Sequence, residues 1–166
     1  MRSRELIDSL GLQPHPEGGW YREVFRSSAR VAPADGRPRR DALTTIYFLL
    51  EAGQHSRWHR VSSDEVWVHV GGDALALYTC DAALRTAPAH IKLGPVDMPG
   101  FHPQHVVPAG QWQAARPITK PDSLGYCLTT CTVGPGFDFD DFSFMAQDSD
   151  EAAAMRHHWP ELADLI

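Results

Sequence analysis

The sequence predicts an all-β fold, a sandwich or a barrel, and three observations carry that expectation. Runs of β-forming residues recur at short intervals, at 43–51, 54–59, 65–70, 74–80, 89–93, 105–108, 111–115 and 125–133. Gly or Pro punctuates most of the gaps: Gly53, Gly71 with Gly72, Gly94 with Pro95, Pro99 with Gly100, Pro108 and Gly110. No helical pattern of about 10–15 residues separates the runs, which speaks against a parallel sheet with crossover helices. Many short strands with regular turn signals mark a sandwich or barrel.

The elements follow in order. Residues 5–10 read as a short helix, because Leu6, Ile7 and Leu10 share one helical face and Gly11 stops it. A loop follows, His15-Pro16-Glu17-Gly18-Gly19. Residues 20–25 alternate and are β-prone; residues 28–41, rich in Ala, Arg, Pro and Gly, read as an exposed loop. After the last long strand, Gly134-Pro135-Gly136 marks a stop. Phe137, Phe139, Phe142 and Phe144, interleaved with Asp138, Asp140 and Asp141, read as a hydrophobic cap on the barrel. Residues 148–155 look helical, and 160–166 adds a turn, since Pro160 suits a first helical position.

Totals narrow the function classes. With 166 residues, one domain over 1–166 is expected. Hydrophobic residues at 43% and charged residues at 22% match ordinary globular usage, so disorder is not the default. Net charge is −6, and the densest basic cluster, Arg37, Arg39 and Arg40, falls in a Pro/Gly-rich loop read as solvated. No basic face for nucleic acid is expected. No apolar stretch has the length of a signal peptide or membrane span, so the expectation is a cytoplasmic protein without a membrane partner. Three cysteines, Cys80, Cys127 and Cys131, form no CxxC and fit a reducing compartment. Cys127 and Cys131 read as small buried hydrophobes on one strand face.

Chemistry concentrates in residues 53–72. By period 2, Arg57, His59 and Val61 share one face, and Glu65, Trp67 and His69 share a face of the next strand. The short turn Ser62-Ser63-Asp64 is expected to place His59 and Glu65 on adjacent strands, facing inward. Such a pair is half of a metal site, or an acid/base pair. Burying Glu65 demands a partner, and Arg57 is the candidate.

At this point the sequence resembles the cupin superfamily. Its first motif has Gly, His, His, Glu and Gly at spacings that here fall on Gly53, His59, Val61, Glu65 and Gly72. Its second motif, Pro-x-Gly-x-x-His, falls on Pro108-Ala109-Gly110-Gln111-Trp112-Gln113. Val61 and Gln113 thus replace two histidines. The block His15 to Tyr21, Thr45 to Leu50, Trp58-His59-Arg60, Ser63 to Trp67 and Pro135-Gly136-Phe137 are similar to a small cupin subfamily long catalogued as a domain of unknown function. The resemblance implies a cupin double-stranded β-helix, a jelly-roll barrel with short N- and C-terminal helices. It also implies kinship with sugar-nucleotide epimerase cupins and a homodimer.

For the site, the resemblance puts His59 and Glu65 in catalytic positions. Tyr47, Arg57, Trp67, His69, Gln113 and Tyr126 are the candidates for binding a polar small molecule. No cofactor is expected; a divalent metal, if bound, would use His59, Glu65 and Gln113, two strong ligands and one weak one. His15, Glu17 and Arg22 are read equally as loop or dimer contacts, and Trp112 as packing. Two functions stay open. One is a metal-independent isomerase or epimerase acting on a sugar-like or carbonyl substrate through the His–Glu pair; the other is a non-catalytic metabolite-binding module. A metal-dependent enzyme with a reduced ligand set is a third possibility. Residues 19–26 are expected to add to a partner's sheet.

Overall fold

The structure, a computed structural model, describes residues 2–166. Helix α1 (Arg2–Leu10) precedes a run of strands: β1 (Gln13–Pro14), β2 (Trp20–Arg26), β3 (Arg30–Val31), β4 (Arg40–Asp41), β5 (Thr44–Glu51) and β6 (Ser56–Val61). Then come β7 (Asp64–Gly72), β8 (Leu75–Cys80), β9 (Ala89–Leu93), β10 (Gln104–Val107), β11 (Trp112–Pro117), β12 (Tyr126–Gly134) and β13 (Phe142–Phe144). Helix α2 (Asp150–His158) and a 3-10 turn (Pro160–Leu165) close the chain. The strands build two facing antiparallel sheets, ordered β1-β2-β5-β12-β7-β10 and β13-β6-β11-β8-β9. This is the jelly roll that the resemblance implies, within the sandwich-or-barrel class expected from the strand spacing.

Alternation along the strands explains the layering. From β5, Phe48 and Leu50 point between the sheets while Leu49 points outward. The inner core joins Phe48, Leu50, Trp67 and Cys131 of one sheet to Leu75, Leu77, Leu93 and Ala115 of the other. Burying each large apolar side chain contributes about 1.5–3 kcal/mol. The outer faces are covered by the terminal helices. Ile7 of α1 and Leu12 just beyond it pack on Leu49, Tyr126 and Leu128; Met155 of α2 and Leu162, Leu165 and Ile166 pack on Trp58 and Trp112. Helix α2 starts where the Ser149 hydroxyl accepts the Ala152 N–H at 3.1 Å.

Four expectations are corrected. First, β6 and β7 do not pair: they belong to different sheets, so the turn at residues 62–63 is a corner, and His59 and Glu65 face each other across the interior. Second, β6 carries an extra residue against β11, where Gln113 opposes His59 but Ala115 opposes Ser56. That bulge breaks strict alternation, so Ser56 rather than Arg57 shares the His59 face. Third, residues 28–41 are not merely a solvated loop. They hold the β3–β4 pair, and Arg40, only 8% exposed, meets the carboxylate of Asp141 two-pronged at 2.8 and 2.9 Å. Arg37 joins the same carboxylate at 2.7 Å. Fourth, residues 20–26 pair with β5 of their own chain, in register from Trp20 opposite Leu49 to Arg26 opposite Thr44. No helix among the described residues is long and apolar enough to cross a membrane.

Candidate functional site

Between the sheets, a cavity of about 500 Å³ opens beside β2 and the 137–142 segment. His59, Val61, Glu65 and Cys131 line it from the strands, and His15 and Glu17 from the loop that precedes β2. Phe137, Phe139 and Phe142 form an aromatic wall in which each ring meets the others edge-on, with centroids 5.0 to 6.2 Å apart. The expected hydrophobic cap is thus also a cavity wall.

The loop that delivers His15 and Glu17 is built for close approach. Gly18 and Gly19 both have positive φ, at 113° and 72°. A Cβ on Gly19 would come within 2.6 Å of the Leu49 carbonyl oxygen, so only glycine lets the loop rest on the barrel backbone. The loop closes on itself through His15 N–H donating to the Gly19 carbonyl at 3.0 Å. It is fastened to β6 where the Arg57 N–H donates to the Glu17 carbonyl at 2.9 Å.

These constraints push the Glu17 side chain onto His59. Glu17 Oε2 lies 3.2 Å from His59 Nε2. The other ring nitrogen, Nδ1, lies 2.7 Å from the Arg57 carbonyl. A carbonyl only accepts, so Nδ1 carries a proton, and a second proton lies between Nε2 and the Glu17 carboxyl. Burial lowers the His59 pKa, with the Glu65 charge and the Arg57 carbonyl opposing. Burial raises Glu17 to about 8, opposed by the Ser56 hydroxyl, so at neutral pH its carboxyl is the natural donor to Nε2. His15 is held at about 4 by burial and by the neighbouring His59 charge, and its Nδ1 accepts the Glu17 N–H at 3.2 Å.

Glu65 is fixed differently. Gln113 Nε2 donates to its Oε2 at 2.6 Å, and Trp67 Nε1 donates to Gln113 Oε1 at 2.9 Å. Burial raises Glu65 to about 7, partly offset by the His59 charge. The buried thiol of Cys131, beside Glu65, is raised well above its ordinary value.

The other expected residues are placed as follows. Gln113 touches Glu65 but lies behind it, and Trp67 belongs to the inner core against Phe48, so both reach the cavity only through Glu65. Arg57, expected to partner Glu65, stacks its guanidinium on Phe144 at 4.5 Å because of the bulge. Tyr47 packs beneath Arg22, and Tyr126 packs with Leu49 and Leu128, both on the outer face of the six-stranded sheet. His69 Nε2 approaches the Asp73 carbonyl at 3.2 Å, away from the cavity. The residues that sequence reasoning left undecided, His15 and Glu17, are central. Their signal was a His and a Glu two apart, held between prolines and a glycine pair.

A metal, which the fold implies, does not fit this donor set. Val61 has no donor atom, both polar ends of Gln113 are engaged, and Glu17 already meets the free nitrogen of His59. Among the described residues, no three or more His, Cys, Asp or Glu side chains are grouped to hold a metal ion.

Two facing sheets enclosing a ligand-sized cavity define a cupin-type barrel. The chain belongs to the family described as "Cupin superfamily (DUF985)", which it matches over residues 4–145. A hypothetical protein from Leishmania major is 33% identical, with a TM-score of 0.83, over 99% of this chain and 96% of its own. A protein from Shewanella oneidensis is 30% identical, with a TM-score of 0.79, over 98% and 93%. A cupin 2 domain-containing protein from Halorhodospira halophila, 18% identical with a TM-score of 0.56 over 93% and 86%, shares the fold. No curated protein matches the chain.

Proposed function

We propose that the cavity binds a polar small molecule and moves a proton on it without a metal, as an isomerase or epimerase acting beside a carbonyl. The contact between Glu17 Oε2 and His59 Nε2, 3.2 Å apart in a cavity that Glu65 also lines, carries the reading. Proton abstraction needs a base and an acid that both work near neutral pH. Glu65, near 7, is divided between its two forms and serves as the base. Glu17, near 8, keeps its proton and serves as the acid, with His59 behind it to resupply or accept that proton. Glu65 takes a proton from carbon, and Glu17 returns one to the opposite face or to a neighbouring carbon. His15, neutral, orients the substrate.

Deuterium exchange tests this directly. The protein is incubated in deuterated buffer with a panel of small aldoses, ketoses and keto compounds, and C–H signals beside the carbonyl are followed by NMR. Exchange above the buffer rate is expected for at least one compound. It should fall about 100-fold or more in Glu65→Gln, within the usual worth of general acid–base catalysis. No exchange with any compound would sink the proposal.

A second reading, a binding module without chemistry, draws on one observation: both ring nitrogens of His59 are engaged and the ring is only 2% exposed. It predicts ligand binding with no exchange. A homodimer is part of the proposal in either case. The outer edge of β2 is paired only at Gln13 and Pro14, and Phe25 on that strand is 53% exposed.

A further inference from the structure

We propose that the ligand of this cavity carries an organic ammonium group, and that anionic, phosphorylated compounds are excluded from it. The inference rests on the cavity being the ligand site and not on the proton-transfer step.

Charge along the cavity wall is one-sided. Four carboxyl groups line it: Glu17, Glu23, Glu65 and Asp138. Arg26 is the one Lys or Arg among the lining residues, and four of its five N–H donors are already taken. Its Nε and Nη2 go to Glu23 at 3.0 and 2.7 Å, and its Nη1 to Asp41 at 2.8 Å and to the Phe137 carbonyl at 3.2 Å. The two histidines are poor anion partners, since burial disfavours the charged form of both. A phosphate or carboxylate entering here would lose its water and meet only a cation already paired with two carboxylates. An implied kinship with sugar-nucleotide epimerases therefore does not carry over to the ligand: this cavity is not suited to a diphosphate.

A cation meets the opposite situation. Phe137 and Phe139 offer aromatic surface, while Phe142 stacks on the His59 ring at 5.2 Å, and an ammonium over an aromatic face is attracted by about 0.5–2 kcal/mol, more when water is excluded. Glu17 and Glu65 line the same cavity as buried carboxyls, each open to ionisation once a positive partner arrives. The groups facing Glu17 are His15, His59 and Ser56; those facing Glu65 are His59, Gln113, Cys131 and Glu17. None of these is a fixed cation. Binding of a cation therefore releases a proton, and affinity grows as pH rises past the two carboxyls.

Calorimetry on the full chain, with three probes sharing one ring, tests the proposal. Benzyltrimethylammonium is a permanent cation, benzyl alcohol is neutral and benzoate is an anion. The cation is expected to bind at least about tenfold tighter than the alcohol, a difference of about 1.4 kcal/mol. Benzoate should bind weaker than both. Raising pH from 6 to 9 should tighten the cation about tenfold and leave the alcohol unchanged. Phe139, 54% exposed at the rim, can be removed without disturbing the core, and Phe139→Ala should weaken the cation severalfold with an unchanged melting point. Benzoate or benzyl alcohol binding as tightly as the cation would overturn the proposal. So would cation affinity indifferent to pH and to Phe139→Ala, or no cation binding at concentrations up to about 10 mM. A cation that binds as expected in a protein that exchanges no deuterium leaves this proposal standing and removes the isomerase reading.

Discussion

Gln113 and Glu65 meet across the two sheets, amide to carboxyl, at 2.6 Å. The Trp67 indole fixes which end of the amide points where. An indole N–H only donates, so it claims the Gln113 oxygen and leaves the NH2 for Glu65. Trp67→Phe should lower stability by about 1–3 kcal/mol, the penalty for an orphaned buried polar group, as read by urea denaturation. Gln113→Leu should raise the Glu65 pKa further, because a hydrogen bond that lowers it is lost. NMR titration of the Glu65 carboxyl checks this, and a lowered value would contradict the arrangement.

Stability should fall as pH rises. Glu17 moves from an ordinary value of 4.5 to about 8 on folding, and Glu65 from 4.5 to about 7. Each raised carboxyl contributes stability that is complete below 4.5 and lost as pH climbs through the folded value. Melting points measured from pH 5 to pH 9 should decline most steeply between about 6.5 and 8, because below 6.5 His15 and His59, both held under their ordinary value by burial, oppose the two carboxyls. Glu17→Gln should flatten the upper part of that decline, since the amide cannot titrate.

The Gly18–Gly19 pair offers a test of placement. Gly19→Ala should strain the loop, because its φ of 72° is unfavourable and the new Cβ would press on the Leu49 carbonyl. Lifting the loop withdraws Glu17 from His59. Expected results are a destabilisation of about 1 kcal/mol or more and a Glu17 pKa moving back toward 4.5, since burial is what raised it.

Asp141 joins distant segments, and removing it should be costly. Its carboxylate holds Arg40 and Arg37, while its backbone carbonyl accepts the Ser62 N–H at 3.0 Å. Asp141→Ala leaves Arg40 without its ion-pair partner and Arg37 with Asp35 alone, and should lower the melting point by several degrees. Arg37→Ala alone should lower it less, because Arg40 keeps both of its contacts. Equal effects would show that the two-pronged contact is not the main one.

Strand positions were largely legible because Gly and Pro mark the turns and alternation marks the faces. The expected 89–93 coincides with β9, and 125–133 lies one residue from β12. His59 and Glu65 could be placed in the interior from motif spacing alone. Their relationship could not, because nothing in Ser62-Ser63-Asp64 distinguishes a hairpin turn from a corner between sheets. Arg57 was misplaced by the bulge, which strict alternation cannot anticipate. Glu17 and Phe137 were missed as site residues for a different reason: they reach the cavity from outside the barrel strands, through contacts distant in sequence. Arg40 was read as solvated because its partner lies 101 residues away.

Since Glu17 and His15 arrive on a five-residue loop laid over a finished barrel, reactivity and architecture are separable in this molecule. Of the inner core, Phe48 meets the His15 ring edge-on at 5.7 Å and asks for a flat side chain there, while Glu17 makes its contacts to His59 and to the loop. A designer could therefore exchange Glu17, and His15 for another flat ring, and keep both glycines and every strand. The same scaffold would then hold a different acid, an added amine or a purely apolar floor, and only the short insert would need to be rewritten.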